Sequence, residues 1–266
     1  MGTMLYALGR AREDPSELAI FDAPETVKKI HAAYREAGAQ LLTTASFQAH
    51  RLALERRGLA DRLEAINREA VALARGAGAE RSYVVASIGP PGRRLAPLGD
   101  ASFREALHAY REQIAILEDA GVDGFVLETF TDLLELQAAL QAARDVTRLP
   151  VVASVALVGS AVAERFLTPE AGAQLAEAMG AAAVGVNCID PGDAARAISR
   201  MRAATGLPLM AQPSAGLPDR NGNYPLNPED FRRWGEQLLD AGATLLGGCC
   251  GTTPAHIAAL RPLFQG

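Results

Sequence analysis

Short apolar runs alternate with longer amphipathic stretches from about residue 25 onwards. Residues 39–43, 83–87, 124–127, 151–155, 182–188, 207–211 and 243–246 read as strands. Each is apolar almost throughout, the pattern of a strand covered on both faces, as in a parallel sheet. Between them, apolar positions recur at helical spacing over residues 25–37, 52–77, 103–120, 133–146, 169–179, 193–204 and 228–240, with a last helix ending near Leu263. The 52–77 helix is expected in two pieces, broken near Gly58. Gly38 and Gly121 read as helix stops and Thr168 as an N-cap. Pro254, behind Thr252 or Thr253, reads as a first helical residue. The first 24 residues are mixed, and residues 1–8 make a poor strand.

Strand–helix alternation of this kind predicts an α/β fold. Polar residues gather where strands end: Thr44, Ser46, Ser87, Glu128, Asn187, Cys188, Gln212, Cys249 and Cys250. In a (β/α)8 TIM barrel those ends converge on the active-site face. A doubly wound open sheet also binds ligands at C-terminal strand ends, but it does not bring so many to one point. The length of 266 residues is close to the ~250 of a typical barrel, and residues 1–266 are expected to form a single barrel domain. Seven strands are countable; an eighth would have to precede Glu25.

Composition narrows the function classes. With 49% hydrophobic and 21% charged residues and a net charge of −5, the chain reads as a globular cytoplasmic protein. Nothing draws it to nucleic acid or an anionic membrane. No apolar run approaches the ~20 residues of a membrane span, and the N-terminus lacks the organisation of a signal peptide. Three cysteines are too few for a disulfide scaffold and suit a reducing compartment.

Those cysteines carry the candidate chemistry. Cys249 and Cys250 follow an apolar run and are flanked by Gly247, Gly248 and Gly251. Neighbouring side chains on a regular strand point to opposite faces, so two adjacent cysteines reach one object only through irregular backbone, which glycine permits. Cys188 ends another apolar run at the corresponding place. Together they form a three-thiolate set that leaves a tetrahedral Zn2+ one open position. The alternatives are ordinary buried cysteines and a redox pair; the ring of a vicinal disulfide would be strained.

Gly247-Gly248-Cys249-Cys250-Gly251-Thr252-Thr253-Pro254, with Val184-Gly185-Val186-Asn187-Cys188 upstream, resembles the zinc-dependent homocysteine S-methyltransferase family. Thr43-Thr44-Ala45-Ser46-Phe47-Gln48-Ala49, Ser87-Ile88-Gly89-Pro90, Glu128-Thr129 and Gln212-Pro213-Ser214-Ala215-Gly216-Leu217-Pro218 agree, in the family's order. The resemblance implies a (β/α)8 barrel in which Cys188, Cys249 and Cys250 hold zinc and homocysteine sulfur takes the fourth place. Glu128 is then the candidate for the substrate ammonium, and Thr44 for the amino-acid end of homocysteine. Asn187 fixes the Cys188 loop. The plainer reading of Glu128 is an arginine salt bridge, and of Thr44 a capping hydroxyl.

The family usually carries a strand ending in Asp-Gly ahead of Met-Gly-Thr, and this chain starts at Met1-Gly2-Thr3. The first strand is therefore expected to be missing or atypical, with poor stability if the barrel stays open. Glu17-Leu18-Ala19 stands where the family often has Glu-Leu-Asn.

The 43–49 stretch resembles stand-alone enzymes using S-methylmethionine, so a small sulfonium donor is expected. The 214–218 stretch resembles the homocysteine barrel of methionine synthases. A corrinoid or folate donor on a separate protein is the alternative, with a non-catalytic zinc-binding barrel behind it. Selenocysteine is a further acceptor, and a homo-oligomer or a corrinoid protein are the partners considered. His31, His50, His108 and His256 fall on predicted helices away from the strand ends and read as surface or packing residues.

Overall fold

The computed structural model describes residues 1–12, 14–77, 82–157, 167–220 and 222–264. Seven parallel strands follow one another round a curled sheet in sequence order. They are β1 (Leu41–Thr43), β2 (Tyr83–Ile88), β3 (Gly124–Phe130), β4 (Val151–Val155), β5 (Ala183–Asn187), β6 (Leu209–Gln212) and β7 (Leu245–Leu246). The helices are α1 (Gly2–Ala7), α2 (Ala19–Asp22), α3 (Pro24–Glu36), α4 (Arg51–Glu55), α5 (Leu63–Gly76), α6 (Phe103–Asp119), α7 (Leu133–Val146), α8 (Pro169–Ala178), α9 (Pro191–Arg202), α10 (Pro228–Asp240) and α11 (Pro254–Leu260). No helix among the described residues is long and apolar enough to cross a membrane.

Local chemistry sets the helix starts. Ser102 and Glu105 form a reciprocal capping box at α6, the side chain of Asp132 accepts two backbone N–H groups at α7, and Thr168 caps α8. Proline occupies the first turn of α3, α8, α9, α10 and α11, where its missing N–H costs nothing.

The strands alternate between two cores. Ala86, Ile88, Phe125, Leu127, Ala153, Val155, Val184, Val186, Leu209 and Ala211 pack outward into the large core shared with the helices. Val85, Val126 and Met210, with Val152 and Leu245, form a small separate cluster on the inner face. Two residues further along that same face stand Ser87, Glu128, Ser154, Asn187 and Gln212, because side chains i and i+2 share a side of a strand. The inner face is thus apolar below and polar above.

The (β/α)8 barrel, expected with its first strand missing or atypical, is not fully closed among the described residues. Among them the sheet has seven strands and two open edges, β1 and β7. Residues 1–8, a poor strand by sequence, are helical in α1, and the pattern of apolar positions did not predict α2 either. Around the outside the shell does close: α11 packs on α3, the Tyr34 hydroxyl donates to the Thr252 carbonyl at 2.7 Å, and the Gly251 N–H reaches the Thr3 hydroxyl at 3.3 Å.

Candidate functional site

Cys188 follows β5 directly, and Cys249-Cys250 lie in the turn between β7 and α11. Strand pairing brings the two together. Cys188 N–H donates to Gln212 O at the end of β6, Cys249 N–H donates to Pro213 O, and Cys250 O accepts from Ala215 N–H. The β6 exit is therefore sandwiched between the two cysteine turns. Backbone irregularity does the rest: Cys188 adopts φ +59° and Gly251 φ +77°, the left-handed region that a non-glycine residue enters only when its surroundings impose it.

The three sulfurs form a triangle. Cys188 and Cys250 are 3.4 Å apart, Cys249 and Cys250 4.0 Å, and all three lie within 4.8 Å of one another. Sulfurs bound tetrahedrally at ~2.3 Å would sit roughly 3.8 Å apart, so the donor set and its spacing fit a single metal ion. The sulfurs share charge unevenly. Its thiol neighbours Cys188 and Cys249 hold the Cys250 thiol below the ordinary value, against burial. Cys249 is pushed well up by its bonds to Cys188 and Cys250 and by burial.

Asn187 is fully buried beside them. Its Oδ1 accepts from Thr129 N–H at 2.9 Å and from the Ser154 hydroxyl at 2.8 Å. Its Nδ2 donates to the Thr129 hydroxyl at 2.7 Å and towards Cys249 Sγ at 3.8 Å. Asn187 thus grips the end of β3 and the Cys249 sulfur, a wider role than fixing the Cys188 loop alone.

Glu128 faces the inner side. Burial pushes its carboxyl above the ordinary value, against the hydrogen bond from the Ser87 hydroxyl that pulls it down. Among the charges acting on it are the chain's amino group, which pulls it down, and Cys250, which pushes it up. Thr44 is buried too, but its hydroxyl is spent within the wall: it meets Ser46 Oγ at 2.6 Å and accepts Ser87 N–H at 3.2 Å. Ser46 in turn donates to Ser87 O, so the Thr44 proton points at Ser46, as a capping hydroxyl would.

Several participants carry no sequence signal of their own. Ser214 and Tyr224, both from the β6–α10 loop, act to pull the Cys188 and Cys250 thiols down. The histidines also differ from expectation. His31, His50 and His256 are buried, and two of them serve the strand-end loops. His50 caps α4 just beyond β1, its Nε2 donating to Pro90 O at 2.9 Å and its Nδ1 accepting from Ala53 N–H at 3.2 Å. His256 Nε2 donates to Leu226 O at 2.9 Å. Buried rings fit the packing reading; proximity to the strand ends does not.

Comparison with known proteins agrees with this geometry. The family profile described as homocysteine S-methyltransferase matches residues 1–264. The chain is 32% identical to the homocysteine S-methyltransferase of Escherichia coli, over 98% of this chain and 92% of that one. It is also 32% identical to the methionine synthase of Mycobacterium tuberculosis, over 97% of this chain but 23% of the relative. The chain thus spans under a quarter of the mycobacterial methionine synthases it matches. The crystal structure of the homocysteine methyltransferase MmuM from Escherichia coli, in its metallated form, superposes with a TM-score of 0.83 at 28% identity, covering 99% of this chain and 93% of that one. A methyltransferase from Methanosarcina mazei shares the fold at 13% identity and a TM-score of 0.66. On the extent of these matches, the chain belongs to the homocysteine S-methyltransferase family.

Proposed function

We propose that this protein transfers a methyl group to the thiol of homocysteine, giving methionine, at a Zn2+ ion held by Cys188, Cys249 and Cys250. The sulfur triangle carries the reading: three thiols from two strand ends, at distances that suit one tetrahedral ion and leave a fourth position free. Zinc bound there would supply ionisation of the substrate thiol at neutral pH.

The chain's own residues bind and orient. Glu128, a half-buried carboxyl on the inner face with Ser87 as its partner, takes the substrate ammonium. Ser87 aims it from the neighbouring strand, and Thr44 acts through Ser87 and Ser46 rather than on the substrate. Asn187 holds the Cys249 sulfur and the β3 end in fixed relation. In the transfer, homocysteine sulfur bonds to the methyl carbon while the donor's carbon–sulfur bond breaks, and the donor keeps that electron pair as a neutral thioether. The thiol proton leaves to solvent.

A small sulfonium such as S-methylmethionine is the donor we favour. The 43–49 stretch resembles enzymes that use it, and the match to a stand-alone homocysteine S-methyltransferase is nearly end to end. Similarity to methionine synthases supports the second reading, a corrinoid or folate donor presented by another protein.

Elemental analysis of protein purified under reducing conditions tests the metal, and methionine formation tests the reaction. About one zinc per chain, with methionine from homocysteine and S-methylmethionine, is expected. No zinc after reconstitution would overturn the site. Zinc without turnover of the sulfonium, but with turnover of methylcobalamin, would move the donor to the second reading.

A further inference from the structure

Gln113 is a polar residue on the apolar face of α6. It shares that face with Tyr110 and Leu117 and is fully buried. Its Nε2 donates both protons, to Ser46 O at 2.9 Å and to Asn67 Oδ1 at 3.1 Å. Asn67, on α5 and equally buried, donates in turn to Ala49 O and Leu63 O, each at 2.8 Å. Turning the Gln113 amide over would set its oxygen against two acceptors, so its orientation is fixed. That orientation has a cost at the other atom: Gln113 Oε1 is buried with no hydrogen-bond partner among the described residues.

What the two amides hold is the exit of β1. Pairing with β2 reaches Thr44, whose N–H donates to Val85 O at 3.0 Å. Two hydroxyls then stand in for the ladder. Ser87 N–H donates to Thr44 Oγ1 at 3.2 Å, and Ser46 Oγ donates to Ser87 O at 2.8 Å. Both backbone polar groups of Ser87 are thus held by side chains of the β1 exit. The Ser87 hydroxyl donates to Glu128 Oε1 on β3. A continuous path of hydrogen-bonded residues therefore runs from Asn67 and Gln113 in the helical shell, through Ser46 and Ser87, to a carboxylate on the inner face. Asn67, Gln113 and Ser46 are fully buried, and Ser87 is nearly so. No water competes for these bonds, and such a network holds its members in one arrangement.

We propose that Gln113 is a positioning residue for the substrate's ammonium group: it sets Ser46, Ser46 sets Ser87, and Ser87 aims the Glu128 carboxylate. This rests on the reading of Glu128 as the ammonium contact. An apolar side chain in place of Gln113 would remove the orphaned oxygen, but it would leave Ser46 O without its donor and free the β1 exit to shift against β2. A charged contact depends steeply on distance and direction, so a carboxylate whose support has moved binds its cation less well. Gln113 itself touches no substrate.

The test is Gln113→Met, which keeps the length of the side chain and removes both donors, alone and combined with Ser87→Ala. Calorimetry on the zinc-loaded chains measures the Kd for homocysteine and for γ-mercaptobutyrate, which keeps the thiol and the carboxylate but lacks the ammonium. Gln113→Met should weaken homocysteine roughly tenfold and leave γ-mercaptobutyrate unchanged. In the Ser87→Ala background it should add nothing further, because the path is already cut there. Equal weakening of both thiols, no weakening of either, or the full effect on top of Ser87→Ala would overturn the role of Gln113. If Gln113→Met does not fold, Gln113→Glu, which keeps the shape and at most one of the two donors, is read by the same outcomes. A wild-type chain that binds the two thiols equally, or neither, would overturn the ammonium reading of Glu128 itself, and the role of Gln113 with it.

Discussion

Asn187 and Thr129 hold each other by two hydrogen bonds in opposite directions, N–H to Oδ1 at 2.9 Å and Nδ2 to Oγ1 at 2.7 Å. Thr129 has φ +66° and Cys188, next to Asn187, has φ +59°. Two left-handed non-glycine residues, each costing of order 1–3 kcal/mol, are thus joined through one buried amide. The replacement Asn187→Ala leaves the Thr129 N–H and the Ser154 hydroxyl without their acceptor. It should lower stability by about 2–3 kcal/mol, read from urea unfolding of the metal-free chain. Metal affinity should fall with it, by roughly 10–100-fold.

Removing a thiol tests the centre directly. Cys249→Ser or Cys188→Ser should reduce bound zinc from one per chain towards none and abolish methionine formation. Retention of both by either variant would show that the triangle is not the reaction centre.

Glu128→Gln keeps the size and the Ser87 partner but not the charge. The KM for homocysteine should rise by roughly 10–100-fold, the loss of one charge-assisted contact, with the KM for the methyl donor little changed. Steady-state kinetics with each substrate varied in turn decides this; equal rises in both would point to distortion of the site.

A pH dependence follows from His50. Its Nε2 donates and its Nδ1 accepts, so the ring must be neutral. Burial pulls it down from 6.5 to about 4. Between those values the unfolded chain binds the proton and the folded chain does not, so stability falls as pH drops from about 6.5 towards 4. The loss reaches about 3 kcal/mol for this group. Melting temperature measured across that range should slope less in His50→Gln than in the wild-type chain.

The bounds of α7, α10 and β4 were legible residue for residue, because each is long or apolar enough to show its period and is closed by a capping aspartate, asparagine or proline. The three cysteines were legible as a set because glycines surround two of them and all three end strands. The helices of residues 1–22 were not, since six- and four-residue segments are too short to display a period. The turn at Thr129 was also hidden. β3 runs on to Phe130 through a register shift against β4, and no glycine marks the place. Tyr224 and Ser214 act on the thiols from a loop, where no periodicity says which way a side chain points. Thr44 lay at the strand end read from the sequence, with its hydroxyl already used.

The slit between β1 and β7 gives the site a soft side. Every other neighbouring pair of strands is laced by backbone hydrogen bonds, so spreading them apart would break a ladder. Across the slit the described contacts include the packing of α11 on α3 and two bonds made by Tyr34 and Thr3. The turn bearing Cys249 and Cys250 hangs from β7, on one lip of that slit, whereas Cys188 hangs from β5 in the laced wall. Two of the three sulfurs therefore ride on the compliant lip and the third on the stiff one. An ion joining the three would act as a rivet between that lip and the laced wall.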